Sequence, residues 1–464
     1  MSSSTILIRG AKGILTGLAG DAMRHDVATQ GADIRVTGST ITAIGQLEPL
    51  PDEKVIDASG CIVMPGWVNT HHHLFQSLLK GIPAGINLPL LGWLTAVPVS
   101  YRRHFDHEAV LRLAARLGMV ELLLSGCTTV ADHQYHYYPG MPFDASAAVF
   151  DEAEDLGVRF VLARGGQTIK REVDRNAPPQ CQPETLEQFL ASVEKDVHRY
   201  HDPAADAMRR VVSAATTPTW SVPPEHLKPM AREARRLGIR LHSHLSETKD
   251  YITYCKEVHN CSPVEFVEQH EWLGEDVWFA HLVHLTPAEI QTLAATGTGM
   301  AHCPQSNCRL GSGVAPAPAL MKAGGRVSLA VDGAASNEAA DMYHEAHTAW
   351  MVHRAVGGAD AISAEDVVRM GTFGGAQILG LDAVGTLEVG KAADIVVMPL
   401  NEPRQWGLHD PIIAPVVSGA ARPSTVLCAG KIVVENGAIP GLDLEALKAD
   451  ADEAVATILK ARAA

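Results

Sequence analysis

The stretch "NTHHHLFQ" sets His71, His72 and His73 in a row directly behind the apolar run "CIVMPGWV". Side chains alternate between the two faces of a strand. A strand and its exit at this point therefore put His71 and His73 on one face and turn His72 toward packing or supporting bonds. Two imidazoles on one face are half of a metal site. Further along, "LHSHLSET" supplies His242, His244 and Glu247, "FAHLVHL" supplies His281 and His284, and "VDGAASN" supplies Asp332. Zinc accepts imidazole nitrogen and carboxylate oxygen, and a catalytic zinc keeps one position open for water. The pKa of that water falls toward ~7, which makes hydroxide available at neutral pH. A lone strand histidine is as a rule a core residue. Four separate strand ends that each deliver a ligand-type residue point instead to a metal held by three histidines and an aspartate.

The elements that must position these residues are short. Apolar runs "IVMPGWVN", "CTTVAD", "VRFVLAR", "RVVSAAT", "IRLHSHL", "DVWFAH", "TGMAHC" and "RVSLAVD" alternate with helical patterns such as "EAVLRLAARLGMVELLLS" and "PPEHLKPMAREARRLG". Eight strand–helix alternations predict an α/β fold, a (β/α)8 TIM-like barrel, whose active groups sit at the C-terminal ends of the strands. The histidines agree, because they follow the apolar runs. On either side the pattern becomes β-rich with Gly and Asp turns: "TILIRGAKGIL" and "ADIRVTGSTITAIG" early, "GTLEVGKAADIVVMPL" and "STVLCAGKIVVENGAI" late. The predicted organisation is residues 1–63 and 383–440 as the two parts of a small β-sandwich domain, 64–382 as the barrel, and 441–464 as a terminal helix packed on the outside.

Composition narrows the partners. The chain has 464 residues, 46% of them apolar and 20% charged, which suits a well-cored globular protein. A net charge of -15 and a pI near 5.8 count against nucleic acid or an anionic membrane surface as a partner. No uncharged apolar run reaches the ~18 residues that a membrane span needs. The N-terminal "MSSSTILIRGAKGILTGLAG" lacks a signal-peptide layout, because charges interrupt its apolar part. The expectation is a soluble, cytoplasmic protein. Eight cysteines are too sparse for a disulfide scaffold, and their spacings match no zinc ribbon or redox pair.

Together, "MPGWVNTHHHLFQ", "HSHLSET", "AHLVHL", "AHCPQSN" and "VDGAASN" resemble the amidohydrolase superfamily in its cytosine-deaminase-like branch. The resemblance covers nearly the whole chain, including the split β-domain and its "GKAADIVV" segment. It implies that His71, His73, His244 and Asp332 are the metal ligands. It also implies that Glu247 shuttles a proton to the substrate ring and that His281 hydrogen-bonds the attacking water or the departing group. His242, one step deeper in the barrel than His244, is read as a supporting or packing residue. The implied cofactor is one divalent metal, Zn2+ or Fe2+, since both suit three imidazoles and a carboxylate. Relatives with two metals use a carboxylated lysine on the fourth strand, and "RRVVSAATTPTWS" has none. A homo-oligomer, dimer or larger, is the family's common state.

The implied reaction is hydrolytic deamination of a cyclic amidine, a small heterocycle. Gln76, three residues past His73, is placed to pair with an amide edge of the ring. The second strand exits into "ADHQYHYYPGMPFD", where His133, Tyr135 and Tyr137 can stack on or bond a bicyclic ring, or form an ordinary packed loop. Arg164 ends the third strand in "VLARGG". There it either donates two bonds to a carbonyl-rich ring or pairs with a nearby carboxylate. "NTHHHLFQ", "LLLSGCTTVADH" and "DGAASNEAADM" resemble one subgroup of the family, the isoxanthopterin and 8-oxoguanine deaminases. "YHYYPGMPFD" and "LARGG" are more similar to the pterin enzymes. The expected substrate is therefore isoxanthopterin or a related oxidised pterin, with 8-oxoguanine as the alternative and triazine-type chlorohydrolase or aminohydrolase chemistry behind both.

Overall fold

Eight short strands form one parallel sheet in strict chain order: β1 (Trp67–Asn69), β2 (Cys127–Gln134), β3 (Arg159–Gly166), β4 (Arg209–Ala215), β5 (Leu241–Leu245), β6 (Val277–His281), β7 (Gly299–His302) and β8 (Val327–Leu329). The structure, a computed structural model, describes residues 5–174 and 182–463. Each strand pairs in parallel with the next, and helices fill the connections. The helices start where the sequence caps them. Ser262 and Thr286 each accept from the backbone N–H three residues on, and Glu265 and Glu289 return the bond. This is the predicted (β/α)8 barrel with all eight expected strands.

The barrel closes between β8 and β1 through loop and side-chain bonds rather than a regular ladder. Val331 N donates to Asn69 Oδ1 at 3.0 Å, Asp332 N donates to His71 O at 3.1 Å, and the hydroxyls of Thr70 and Ser328 lie 2.6 Å apart. The seam thus sets Asp332 beside His71.

The run "IVMPGWVN" behaves differently from the single strand expected of it. Cys61–Pro65 pairs antiparallel with Ile395–Pro399 in a sheet outside the barrel, and only Trp67–Asn69 enters the barrel. Gly66 is the joint. A Cβ there would lie 2.3 Å from Thr128 Oγ1, so only glycine lets the chain pass β2 as it changes sheets. The outer sheet therefore extends to Pro65, past the expected break at residue 63.

That sheet has six strands and faces a four-stranded one (Thr40–Gly45, Asp33–Thr37, Thr5–Arg9, Lys54–Asp57). Ile6, Ile8, Ile34, Val36, Val63, Ile395, Val397 and Leu427 fill the space between them. N- and C-terminal segments build this small domain together, as the split β-pattern predicts. The last helix, Leu444–Ala463, lies against Glu108–Leu124 and buries Ile458 in a cluster with Phe75 and Leu111. Among the described residues, no helix is long and apolar enough to cross a membrane.

Barrel and small domain are joined by a buried ion pair. Arg159 Nη2 donates to Asp394 Oδ2 at 2.8 Å, with both side chains essentially inaccessible, and Asp394 Oδ1 accepts from Ala429 N at 2.6 Å. Removing one member leaves a buried charge without a counter-ion. Asp394→Ala is expected to lower stability by about 3–5 kcal/mol in urea unfolding. A loss within ~1 kcal/mol, the range of exposed pairs, would show that the joint does not depend on this contact.

Candidate metal centre

Fixed tautomers aim the histidines. His73 Nδ1 lies 2.8 Å from the carbonyl of His133 and His244 Nδ1 lies 2.6 Å from that of Thr216. A carbonyl only accepts, so each Nδ1 carries the proton and each Nε2 a bare lone pair. His242 Nδ1 likewise donates to Trp278 O at 3.1 Å. Its Nε2 must then accept, and it does so from His71 Nδ1 at 2.8 Å. His71 Nε2 is thereby left as a third lone pair, buried and without a protein donor.

These lone pairs converge. His73 Nε2 and His244 Nε2 are 3.1 Å apart. Asp332 Oδ1 is 3.3 Å from His71 Nε2 and 3.4 Å from His73 Nε2. Three lone pairs and a carboxylate oxygen at such distances repel one another unless a cation lies among them. Tetrahedral zinc with ~2.05 Å bonds spaces its ligands ~3.3 Å apart, so the set fits a divalent metal by both chemistry and spacing. Burial pushes the histidine pKa values down, His71 to about 3, with His73 and His244 also below the ordinary value. Neutral imidazole is the form that ligates. Burial alone would raise Asp332, but the surrounding imidazoles of His71, His281 and His73 hold it well below the usual carboxylate range. Its Oδ2 accepts from Ser306 Oγ at 2.6 Å and Ser336 Oγ at 3.2 Å, and its Oδ1 accepts from Gly333 N at 2.7 Å while facing the centre.

The backbone at these strand ends is bent hard. Ser246, His281, Leu282 and Asp332 adopt φ values of 50°, 76°, 50° and 63°, in the left-handed region that residues other than glycine rarely occupy. Such residues persist where the surroundings over-determine them, and they cluster at functional sites.

Glu247 and His281 stand beside the centre, with His281 Nε2 3.6 Å from Glu247 Oε2. His281 Nδ1 donates to Asn307 Oδ1 at 3.0 Å, which turns its Nε2 toward the site. Burial, and then the charge of Asp332, push Glu247 well above the usual carboxylate range, the direction that favours its protonated form. His73, His244, Asp332, Glu247 and His281 open onto a cavity whose walls include Trp93, Tyr135, Trp220, Tyr251, Leu90 and Leu94.

Two of the four expected substrate-contacting residues face this cavity. Gln76 lines it. Its Nε2 donates to Tyr135 Oη at 3.2 Å, and its Oε1 is buried without a partner. Tyr135 lines it too, with its ring 4.9 Å from that of His73. Arg164 does not reach it. The Arg164 guanidinium binds Glu184 through two bonds of 2.7 Å and lies 3.9 Å from the Tyr137 ring centre. The carboxylate pairing, not the ring contact, is what the barrel mouth provides. His133 also turns away from the cavity. It lies inside the barrel behind the ligands, stacked 4.9 Å from His244, and its backbone carbonyl serves the site. His284 lies outside the cavity lining as well. The residue not anticipated is Arg171, which lines the cavity and is held by Asp174. It stands in the loop after β3, beyond the strand-end positions where the sequence pattern directs attention.

Comparisons with known proteins extend this picture. The amidohydrolase family model matches residues 62–433. An isoxanthopterin deaminase from an unknown prokaryotic organism is 51% identical over 471 residues, covering 98% of this chain and 97% of the relative. An 8-oxoguanine deaminase from Pseudomonas aeruginosa is 38% identical over 442 residues, covering 95% and 96%. Among solved structures, an amidohydrolase from an environmental sample of the Sargasso Sea matches with a TM-score of 0.86 at 47% identity, over 99% of this chain and 100% of that one. An atrazine chlorohydrolase from Arthrobacter aurescens, complexed with zinc, matches with a TM-score of 0.88 at 30% identity, over 97% and 100%.

The depressed histidine pKa values set how acid affects metal retention. For three ordinary imidazoles of pKa ~6.5, going from pH 7 to pH 5.5 weakens metal binding about 600-fold by proton competition. Here protons compete only at lower pH, so the expected loss is less than ~10-fold. Zinc titration against a chelator calibrated at each pH measures it, and a loss of several hundred-fold would mean that the ligands titrate as exposed histidines.

Proposed function

The chain belongs to the amidohydrolase family, and from that premise we propose that it is a zinc-dependent hydrolytic deaminase of isoxanthopterin or a closely related oxidised pterin. The observation that carries the chemistry is the placement of Glu247, a buried carboxyl pushed well above its ordinary range, in the cavity onto which three histidine lone pairs and Asp332 converge. When bound among these, the divalent cation supplies Lewis-acid activation of water at neutral pH. β4 has no lysine, which supports a single metal.

The protein groups divide the proton work. Asp332, ionised and with one oxygen tied to two serine hydroxyls, takes the proton of the attacking water. Glu247 gives its proton to the ring nitrogen next to the carbon under attack, so that negative charge does not build up on the ring. His281, its Nδ1 anchored on Asn307, holds the oxygen side of the developing tetrahedral carbon. The proton taken by Asp332 goes on to the exocyclic amine, the C–N bond breaks with its electron pair leaving on nitrogen to release ammonia, and the remaining hydroxyl proton returns to Glu247 as the ring carbonyl forms. The aromatic walls sandwich a flat bicycle, and the unpartnered Oε1 of Gln76 accepts from its amide edge. Gly333 allows this pose, since a Cβ there would lie 2.0 Å from Gln76 Oε1.

Substrate choice rests on likeness. The relative named for isoxanthopterin shares more of this sequence than the one named for 8-oxoguanine. Both molecules present the same 2-amino-4-oxo pyrimidine and differ in the second ring. Ammonia release from isoxanthopterin, pterin, pterin-6-carboxylate, 8-oxoguanine, guanine and a chlorotriazine tests the assignment. Isoxanthopterin is expected to have the highest kcat/KM, and a clear lead for 8-oxoguanine would replace it with the alternative. Glu247→Gln is expected to lower kcat by ~10²–10⁴-fold with metal content unchanged. Full-rate ammonia release by that variant would remove Glu247 from the mechanism.

A further inference from the structure

Resting on the reading just given, we propose that Arg171 reads the second ring: its guanidinium donates to the oxo group that distinguishes isoxanthopterin from pterin, and so selects the oxidised substrate. The residue sits in the catalytic wall with its side chain 8% exposed. Asp174 takes Arg171 Nε at 2.6 Å and Nη2 at 3.0 Å. This two-point contact fixes the plane of the guanidinium, and among the described residues no protein group takes Nη1.

Charge makes the case for an acceptor there. Asp174 is itself buried, and it also accepts from Arg102 Nη1 at 3.1 Å. Asp174 thus anchors two arginines side by side in the wall. Among the described residues that line the cavity, Arg171 is the one arginine or lysine. A conjugated lactam oxygen is a good acceptor for a cationic donor.

Position supports the same assignment. Gln76 approaches the metal end of the cavity, next to Gly333 and Asp332, and bonds Tyr135. Arg171 and Tyr135 together line both the catalytic cavity and the smaller pocket beside it. A bicycle whose amine-bearing carbon meets the centre thus presents its amide edge to Gln76 and its second ring toward Tyr135 and Arg171. The neutral amide of Gln76 suits the pyrimidine edge common to all candidates. The cation suits the oxygen that only the oxidised rings carry.

The test compares kcat/KM of the metal-loaded enzyme on isoxanthopterin and on pterin, for wild type, Arg171→Gln and Arg171→Lys. Arg171→Gln is expected to lose ~10–100-fold on isoxanthopterin, mainly through KM, and less than ~3-fold on pterin. Arg171→Lys keeps the charge without the fork and is expected to fall between. Equal losses on both substrates in both variants, at unchanged metal content, would overturn the assignment of Arg171 while leaving the deaminase reading in place. Wild type that releases ammonia from neither pterin but does so from 8-oxoguanine would overturn the pterin reading instead. In that case the same comparison, run with 8-oxoguanine and guanine, decides on Arg171: a loss confined to 8-oxoguanine supports it, and equal losses overturn it.

Discussion

The site depends on a chain of hydrogen bonds that leaves three imidazole lone pairs no partner but a cation. Each of these bonds is ordinary. Backbone carbonyls of His133, Thr216 and Trp278 take ring protons directly from His73, His244 and His242, and His242 passes the constraint to His71. The consequence is not ordinary, because the remaining nitrogens face one another and a carboxylate in a place that water barely enters. Without a metal the arrangement is electrostatically frustrated. With one, the same repulsion becomes coordination. The supporting bonds thus do more than orient the rings: they choose which nitrogen is basic and commit it before any ligand arrives.

The barrel carries this commitment. Its C-terminal rim is where the strands stop pairing and their ends are free to bend. Left-handed turns at Ser246, His281, Leu282 and Asp332 bring side chains from β5, β6 and β8 inward. The seam between β8 and β1 lacks a regular ladder and is closed by Asn69, Thr70 and the backbone of His71. The residues that close the barrel thus adjoin the residues that hold the centre, and opening one would disturb the other. The joint to the small domain lies at the opposite end of the strands, at Arg159 near the start of β3. The rim loops are left free to vary with the substrate.

Legibility in the sequence followed the range of the forces involved. The eight barrel strands are visible because each is a short apolar run bounded by helical periodicity, and that pattern is local. The ligand-type residues are visible because strand exits concentrate them. His242 is legible only as something deeper than His244, since its partner His71 is 171 residues away in the chain. Local pattern also misreads "IVMPGWVN" as one strand, because apolarity does not register that Gly66 lets the chain leave one sheet for another. Arg164 and Arg171 show the limit most directly. A strand-end arginine is a reasonable candidate to face a barrel mouth, but Glu184 in a later segment claims it. Arg171 sits in a loop with no periodicity and reaches the cavity through a pairing with Asp174 that spacing does not announce.

One contrast remains, between two acids that share a cavity and are pushed in opposite directions. Asp332 is surrounded by imidazoles and hydroxyl donors, and these outweigh its burial. Glu247 is as deeply buried but has no such donors, and the ionised Asp332 adds to the cost of ionising it. The ionisation of one therefore favours the protonated form of the other, and environment alone separates two groups of like intrinsic chemistry. A cation at the centre strengthens the division, because Asp332 would touch it and Glu247 would not. Deamination needs both at once, a base for the water and an acid for the ring nitrogen. The separation of their pKa values by environment meets that need within a single pocket.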